Sequence, residues 1–249
     1  MKTSKNSISI REKFEHKETI VTITSEDKRY IEIGKKQILK TRKQIEKYIE
    51  KNPFFKETLK PFDCKKSDPA IIKKMCLCSE KFNIGPMSTV AGTIAESALK
   101  SMISNGAKHA IVDNGGDIAL YSNKPINIGI FTGYNSTNKL AYIIPPTNEI
   151  FGICTSSGNI GHSLSFGNTD AVTVFSKNVI VADAAATAIG NFIEKFSDIR
   201  DSLNIFSGID EIQGSVVFID NNIGLWGKIP KIIQAEIPFN LISRGWLSY

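Results

Sequence analysis

The chain has 249 residues, of which 41% are hydrophobic and 22% are charged. This composition is typical of a globular protein with a sizeable core, most simply one domain over residues 1–249. The formal net charge is +6. The sequence has neither an arginine-rich arm nor a compact nucleic-acid motif, so we interpret this charge as general basicity and expect no nucleic-acid partner. Residues 1–10 are polar and no stretch has the apolar length of a membrane span, so we expect a cytoplasmic protein with no membrane partner.

The first third of the chain predicts a hairpin and two helices. Residues 18–24 and 29–33 alternate polar and apolar side chains, as paired strands do. Residues 35–51 carry apolar side chains at helical spacing and lysines on the opposite, solvated side, and a second helix is predicted over residues 69–82. The cysteines are too few and too irregular for a disulfide framework, so we expect free, buried or half-buried thiols at Cys64, Cys76, Cys78 and Cys154.

The remaining two thirds predict mixed helices and strands. A helix over residues 88–104 begins with small side chains, and strands follow near Ala110, Ile118 and Ile126. A polar, glycine-containing loop is predicted over residues 152–166. The last predicted elements are a strand at 170–175, a helix at 183–195 and strands at 215–219 and 224–226. Helices and strands without strict alternation predict an α+β fold.

Asn114, Gly115, Gly116 and Asp117 lie between two of the predicted strands. Adjacent glycines allow a backbone to approach a phosphate or a ring without interference from a Cβ atom. The same four residues also form good hairpin turns. The sequence leaves both interpretations open.

Asp183 and Thr187 are four residues apart, so they share one face of the predicted helix. Two hard oxygen ligands on one face suit Mg²⁺ or Ca²⁺. Aspartate is also among the best residues at a helix N-cap, and the motif alone favours that role. Thr187 supports the metal interpretation, because helix propensity does not explain a threonine there.

The polar loop concentrates hydroxyls and glycines at Thr155, Ser156, Ser157 and Gly158, followed by His162. Hydroxyls and exposed amides donate hydrogen bonds to phosphate oxygens, and glycines allow successive N–H groups to form an anion-binding nest. His162 fits either a catalytic acid or base or a hydrogen bond within the loop.

Taken in chain order, four segments resemble signatures of the ApbE superfamily, and most of all those of an uncharacterised ApbE-related branch. The segments are Asn83–Glu96, Asn114–Asp117, Thr155–Gly158 with His162–Gly167, and Ala182–Thr187. The superfamily's best-known members are Mg²⁺-dependent FAD:protein FMN transferases. The resemblance covers residues 83–192 with specific motifs and the flanks only loosely, and four motifs in order are far more specific than one.

The resemblance implies an ApbE-like α+β domain with a mixed, largely antiparallel sheet and packed helices. It implies FAD across the glycine-rich segments, bound by Asn114, Gly115, Gly116, Asp117, Thr155, Ser156, Ser157 and Gly158. It also implies Mg²⁺ bound by Asp183 and Thr187. Expected partners are a small phosphorylated ligand such as a flavin nucleotide and an acceptor protein, and a homo-oligomer is compatible with the sequence.

Two departures from the superfamily pattern leave two functional hypotheses. The first signature lacks the superfamily's lysine and has Glu96 at the position of its acid, and the segment after His162 lacks an acid and a proline. The first hypothesis is a metal-dependent protein acting on a flavin nucleotide or another phosphorylated ligand by FMN or phosphoryl transfer, with Glu96 as base and His162 as a second catalytic group. The alternative is a non-catalytic flavin- or nucleotide-binding protein on the same scaffold.

Overall fold

The computed structural model describes residues 9–130, 140–156, 168–206, 208–219 and 222–235. Helices and strands are mixed along the chain in this part. The helices are α1 (Lys28–Lys51), α2 (Phe54–Glu57), α3 (Ala70–Glu80), α4 (Val90–Ser104), α5 (Val179–Phe192) and α6 (Ile199–Phe206). Short 3-10 turns at Pro86–Thr89 and Phe196–Asp198 precede α4 and α6.

The described strands form two antiparallel sheets. They are β1 (Ile10–His16), β2 (Thr19–Ser25), β3 (His109–Asn114), β4 (Asp117–Ser122), β5 (Ile126–Ile130), β6 (Leu140–Ile144), β7 (Phe151–Ser156), β8 (Ala171–Ser176), β9 (Ile212–Ile219), β10 (Asn222–Gly227) and β11 (Lys231–Gln234). The larger sheet has the order β1-β2-β3-β4-β7-β8-β9-β10, and the smaller one has the order β11-β6-β5. Each neighbouring pair runs antiparallel.

The two faces of the larger sheet bury different layers. Helices α4 and α5 pack on one face against β3, β4, β7 and β8, and α1 packs against α4 and against β1 and β2. The opposite face packs on the smaller sheet through a second apolar cluster that includes Leu120, Tyr142 and Phe175. Helices on one face of an antiparallel sheet define an α+β architecture. The predicted α+β fold with a largely antiparallel sheet is therefore confirmed.

Two predicted boundaries in the first third are wrong. Residues 29–33 belong to α1 and not to a strand, and the hairpin consists of β1 and β2. Asp27 caps the helix by accepting a hydrogen bond from the Arg29 N–H at 2.8 Å. The alternation of residues 29–33 is equally compatible with a helix whose buried face continues through Ile31, Ile38 and Ile45.

Residues 151–156 form the strand β7 and not the start of a loop. β7 lies between β4 and β8 and pairs with both, so its backbone is hydrogen-bonded on both sides. Gly152, Thr155 and Ser156 resemble turn residues in sequence, but central strands also accept small and hydroxyl side chains where another element packs closely.

The expectation of four free thiols is wrong for one pair. Cys64 and Cys76 form a disulfide, which connects the segment before α3 to the helix itself. Cys78 and Cys154 are free and buried, as expected. In the described part of the chain, no helix combines the length and apolarity that a bilayer span requires.

Candidate functional site

The contact between α4 and α5 fixes the position of Asp183. The Gly92 N–H donates a hydrogen bond to Asp183 Oδ2 at 2.7 Å. A Cβ atom on Gly92 would lie 2.9 Å from Asp183 Cβ and 2.9 Å from the Val179 carbonyl oxygen, so only glycine permits this approach. One turn along α4, Glu96 Oε2 accepts a hydrogen bond from the Val179 N–H at 3.1 Å.

Asp183 is not the N-cap of its helix, so the capping interpretation is wrong. Helix α5 begins four residues earlier, at Val179, and Asn178 is its N-cap. The Asn178 side chain accepts a hydrogen bond from the Val181 N–H at 3.3 Å, and Glu96 accepts one from Val179. With the first turn satisfied in this way, helix formation does not require a carboxylate at Asp183.

Asp183 belongs to a group of two carboxyls and one thiol. Its side chain is buried, with a relative exposure of 6% for the residue. Asp117 begins β4 directly opposite Cys154 on β7. The Cys154 thiol lies 3.4 Å from the Val179 carbonyl oxygen and is also within hydrogen-bonding reach of the Asp117 carboxyl. The group therefore joins β4, β7 and α5.

The electrostatics of this group favour its neutral form. Burial, reinforced by the charge of Asp113, raises the pKa of Asp117 to about 7. Burial and the charge of Asp117 raise the pKa of Asp183 well above its usual value. Burial and the two carboxyls raise the pKa of the Cys154 thiol well above its usual value, so it is a thiol and not a thiolate nucleophile at neutral pH.

A divalent cation would fit this arrangement chemically. The charged groups that raise the pKa values of Asp117 and Asp183 are themselves carboxyls, so the group carries unbalanced negative charge once ionised. Thr187 lies one turn beyond Asp183 and is the only position of residues 179–190 that is not fully buried. No cluster of three or more His, Cys, Asp and Glu side chains within the described residues is arranged to hold a metal. Further oxygen donors would have to complete the coordination.

Gly115 and Gly116 form a two-residue hairpin turn between β3 and β4, with Asn114 paired to Asp117. Their φ values are +70° and +105°, a region that favours glycine. The turn lies at the start of α4, because Asn114 Nδ2 donates a hydrogen bond to the Ala91 carbonyl at 3.1 Å. The hairpin interpretation is confirmed, and it places the turn beside Gly92, the neighbour of Asp183.

Thr155 and Ser156 end β7 on the two faces of the sheet. The Thr155 N–H donates to the Gly116 carbonyl at 3.2 Å, and its hydroxyl lies 3.0 Å from that of Thr173. Ser156 faces α5, where a Cβ on Gly190 would lie 3.6 Å from its hydroxyl. Ser157, Gly158 and His162 lie outside the described residues.

The structure thus brings together Asp117, Cys154 and Asp183, with the Gly115–Gly116 turn directly before Asp117, whereas the Thr155 hydroxyl lies on the opposite face of the sheet, beside Thr173. Glu96 is buried and lies one helical turn from Gly92, and both of its oxygens are engaged, one by the Val179 N–H and the other by Lys100. The sequence did not single out Cys154 as a member of this group. Its alignment with Asp117 depends on strand register, which the sequence pattern around residue 154 did not reveal.

Comparisons with known proteins agree with this architecture. A protein-family model described as AbpE bacteria matches residues 3–202. A flavinyl transferase ApbE from Pseudomonas stutzeri, in its apo form, superimposes with a TM-score of 0.57 at 14% identity, over 87% of this chain and 94% of that one. The ApbE protein of Thermotoga maritima gives 0.52 at 13% identity, over 96% and 100%. The protein therefore has the ApbE fold.

Relatives of higher sequence identity show which family with this fold the chain belongs to. The UPF0280 protein of Methanosarcina barkeri is 42% identical over 240 residues, which are 96% of this chain and 95% of the relative. That of Methanococcoides burtonii is 43% identical over 237 residues, or 95% and 100%, and that of Archaeoglobus fulgidus is 43% identical over 239 residues, or 94% and 99%. The chain belongs to the UPF0280 family of ApbE-related proteins.

Proposed function

We propose that this protein binds a phosphorylated ligand of the flavin nucleotide class together with Mg²⁺ at the Asp117–Asp183 group, and that it acts on that ligand by FMN or phosphoryl transfer. The observation that carries the proposal is the pair of neighbouring carboxyls, Asp183 buried and Asp117 half-buried, whose raised pKa values no cation among the described residues offsets. Perturbed carboxyls concentrated beside a glycine turn are typical of functional sites. The flavin class is supported by the ApbE fold, because the solved proteins that share it include flavin transferases.

In this proposal Asp183 and Thr187 hold the Mg²⁺, and Asp117 adds negative charge close by. Bound Mg²⁺ would supply positive charge that neutralises charge developing on the ligand's phosphates. The Gly115–Gly116 turn, exposed at Gly115, and the Ser156 hydroxyl on the α5 side of β7 offer donors that would orient those phosphates, and a role for Thr155 remains a prediction. The further flavin-binding residues Ser157 and Gly158 and the catalytic role of His162 remain predictions.

Glu96 has a more restricted role than a free base would have. Its carboxylate accepts a hydrogen bond from the first N–H of α5 and pairs with Lys100. These contacts fix the start of the helix that carries Asp183. They support a positioning role for Glu96, while proton transfer by Glu96 requires that one of the two contacts open.

The alternative function is a non-catalytic flavin- or nucleotide-binding protein on the same scaffold. The engaged carboxylate of Glu96 favours it, as does the absence of the superfamily's lysine between Ala91 and Glu96. This alternative keeps the ligand pocket and differs from the first function in the absence of bond cleavage.

The test compares the wild type with Asp183→Asn. Asparagine keeps an oxygen that can accept the Gly92 hydrogen bond and removes the charge, so the variant should fold. We expect Mg²⁺ at 100 times its Kd to stabilise the wild type by about 2.7 kcal/mol, and the variant to lose most of this gain. Asp63→Asn, at an exposed position, is the control for a change of one carboxylate. A Mg²⁺-dependent rise in melting temperature that persists in Asp183→Asn would place the metal elsewhere.

Titration calorimetry with FAD, FMN and ADP in the presence of Mg²⁺ tests the ligand class. AMP release from FAD in the presence of a hydroxyl-bearing acceptor peptide, followed by chromatography, separates the two functions, because the FMN group must pass to an acceptor oxygen as the pyrophosphate bond breaks and AMP leaves. Release by the wild type that Asp183→Asn abolishes would support transfer, while binding without release would support the binding protein. The flavin assignment fails if the folded, Mg²⁺-loaded wild type binds none of the three nucleotides.

A further inference from the structure

The outer face of α1 carries a straight row of five lysines, which we call the lysine row: Lys36, Lys40, Lys43, Lys47 and Lys51. All five are exposed. Their spacing of three or four residues places them on one side of the helix, over an axial length of about 22 Å. The buried side chains of α1, such as Ile38 and Ile45, face the opposite direction. The packing of α1 against α4 therefore keeps the lysine row on the solvent side of the helix.

Positive charge is concentrated in this region of the sequence. Residues 28–74 contain 15 Lys and Arg against 6 Asp and Glu, a formal net charge of +9. The whole chain has +6, so the other 202 residues together carry −3. The basic balance of the chain is therefore a local property of α1 and the segment that follows it, and not a general one.

The lysine row lacks the ion pairs that neutralise other cations of the same helix. Lys35 pairs with Glu12 and Glu32, and Arg42 pairs with Glu18 and Glu46. Within the described residues, none of the five lysines of the row forms an ion pair. Five like charges at adjacent helical positions repel one another, so α1 keeps an arrangement that costs stability unless a partner compensates it.

Apolar side chains border the lysine row. Leu39 is 39% exposed on α1, and Phe54, three residues past the end of the row, is 65% exposed. Phe54 packs loosely on Phe62, with ring centroids 6.4 Å apart, which leaves most of its surface to solvent. A surface of lysines and exposed apolar groups matches a protein segment that carries both acidic and apolar side chains. A phosphate backbone would use the lysines alone.

We propose that the lysine row, with Leu39 and Phe54, is a docking surface for an acidic, partly apolar segment of a partner protein. Long-range attraction between the row and such a segment would guide the encounter, and the apolar side chains would add contact area once the partner is bound. This surface lies on α1 and at the start of α2 and shares no residue with the Asp117–Asp183 group, so the proposal does not depend on the function proposed above.

The test uses fluorescence anisotropy with two labelled 15-residue peptides, one of glutamate alone and one in which every fourth residue is leucine. The row variant is Lys40→Gln, Lys43→Gln and Lys47→Gln together. The matched control removes the same charge from three exposed lysines elsewhere, Lys108, Lys228 and Lys231. A third variant changes Leu39 and Phe54 to serine. Circular dichroism confirms that each variant is folded, and a 15-base-pair DNA and phosphatidylserine vesicles serve as other polyanions.

We expect the wild type to bind the leucine-containing peptide more tightly than the all-glutamate peptide at 150 mM salt. The row variant should weaken binding about tenfold, the sum of three exposed charge contacts. The control should change it less than twofold. The serine variant should weaken only the leucine-containing peptide.

Four results would overturn the proposal. One is an equal loss in the control variant, which would indicate bulk charge. Another is tighter binding of the DNA or of the vesicles than of the peptide at the same salt concentration. A third is the absence of peptide binding even at 20 mM salt. The last is salt-dependent self-association that the row variant abolishes in sedimentation, which would make a second copy of the chain the occupant.

Discussion

Substitution of Gly92 by alanine tests whether the close contact between α4 and α5 positions Asp183. The new Cβ would lie 2.9 Å from the Val179 carbonyl oxygen and 3.0 Å from Asp183 Oδ2. The nearest atoms belong to the Val179 carbonyl and to Asp183, the candidate metal-binding residue, so a shift of either has a substantial free-energy cost. The helices must separate by several tenths of an ångström, and the Gly92–Asp183 hydrogen bond must lengthen from 2.7 Å.

The expected loss of stability follows from three contributions. Overpacking a close contact costs about 1–3 kcal/mol. A weakened buried hydrogen bond costs a further 0.5–1.5 kcal/mol or so. Alanine in place of glycine within a helix offsets about 1 kcal/mol of this cost. The balance is a destabilisation of about 2 kcal/mol, or about 4–8 °C in melting temperature for a chain of this size.

Gly34→Ala is the matched control. Gly34 is also a buried helical glycine, but its added Cβ would lie 3.1 Å from Met102 Sδ, an atom of a flexible side chain. Met102 can move slightly, and the gain in helix propensity remains. We therefore expect Gly34→Ala to change the free energy of unfolding by less than about 1 kcal/mol.

Urea unfolding followed by circular dichroism gives the shift in midpoint, and calorimetry gives the Mg²⁺ affinity of each variant. Gly92→Ala should lower both stability and Mg²⁺ affinity, while Gly34→Ala should preserve both. Equal stability of Gly92→Ala and wild type would show that α4 and α5 do not constrain each other as the structure indicates. A destabilised variant with wild-type Mg²⁺ affinity would separate the helix contact from the metal site.

The remaining predictions concern Glu96, His109 and the cysteines. Glu96→Ala should lower the free energy of unfolding by about 1–3 kcal/mol because it leaves the Val179 N–H without an acceptor. Glu96→Gln keeps an acceptor and should lower it by less than about 1 kcal/mol. A loss of AMP release in Glu96→Gln at unchanged flavin affinity would instead indicate that Glu96 acts as a base. Burial lowers the pKa of His109 below 6.5, so its contribution to stability is complete above pH 6.5 and falls as the pH drops toward the folded pKa. In chemical denaturation between pH 7.5 and 5.5, His109→Gln should therefore lose less stability than the wild type, and parallel curves would refute this. Under denaturing, non-reducing conditions, titration should find two reactive thiols because Cys64 and Cys76 are bonded, and four thiols would contradict the disulfide.

The sequence predicted the elements whose pattern is local. Strands near Ala110, Ile118 and Ile126 and a helix ending at Ser104 are present, because alternation, helical spacing and glycine turns act within a few residues. The Gly115–Gly116 turn was likewise predictable as a hairpin, since positive φ values at two successive positions select glycine.

What the sequence could not show depends on distant partners. The sequence favoured an N-cap role for Asp183 because the alanines that follow it clearly predict a helix. The apolar segment before it, Val179 to Val181, is in the helix but also fits a strand. Glu96 lies 83 residues before Val179, so its hydrogen bond to the start of α5 has no local signature. The contact of Gly92 with Asp183 spans 91 residues, and only the small side chains at the start of α4 hinted at it.

Under the proposed function, the carboxyl of Asp183 serves ligand binding and not the formation of its helix. Helix α5 is capped by Asn178 and Glu96, so Asp183 is not needed for its start. Asparagine could accept the Gly92 hydrogen bond equally well and would avoid the charge of Asp117. A purely structural role therefore predicts that Asp183→Asn is at least as stable as the wild type without metal. A stable variant that no longer responds to Mg²⁺ would show that the chain keeps this carboxylate for its ligand, at a cost to its own stability.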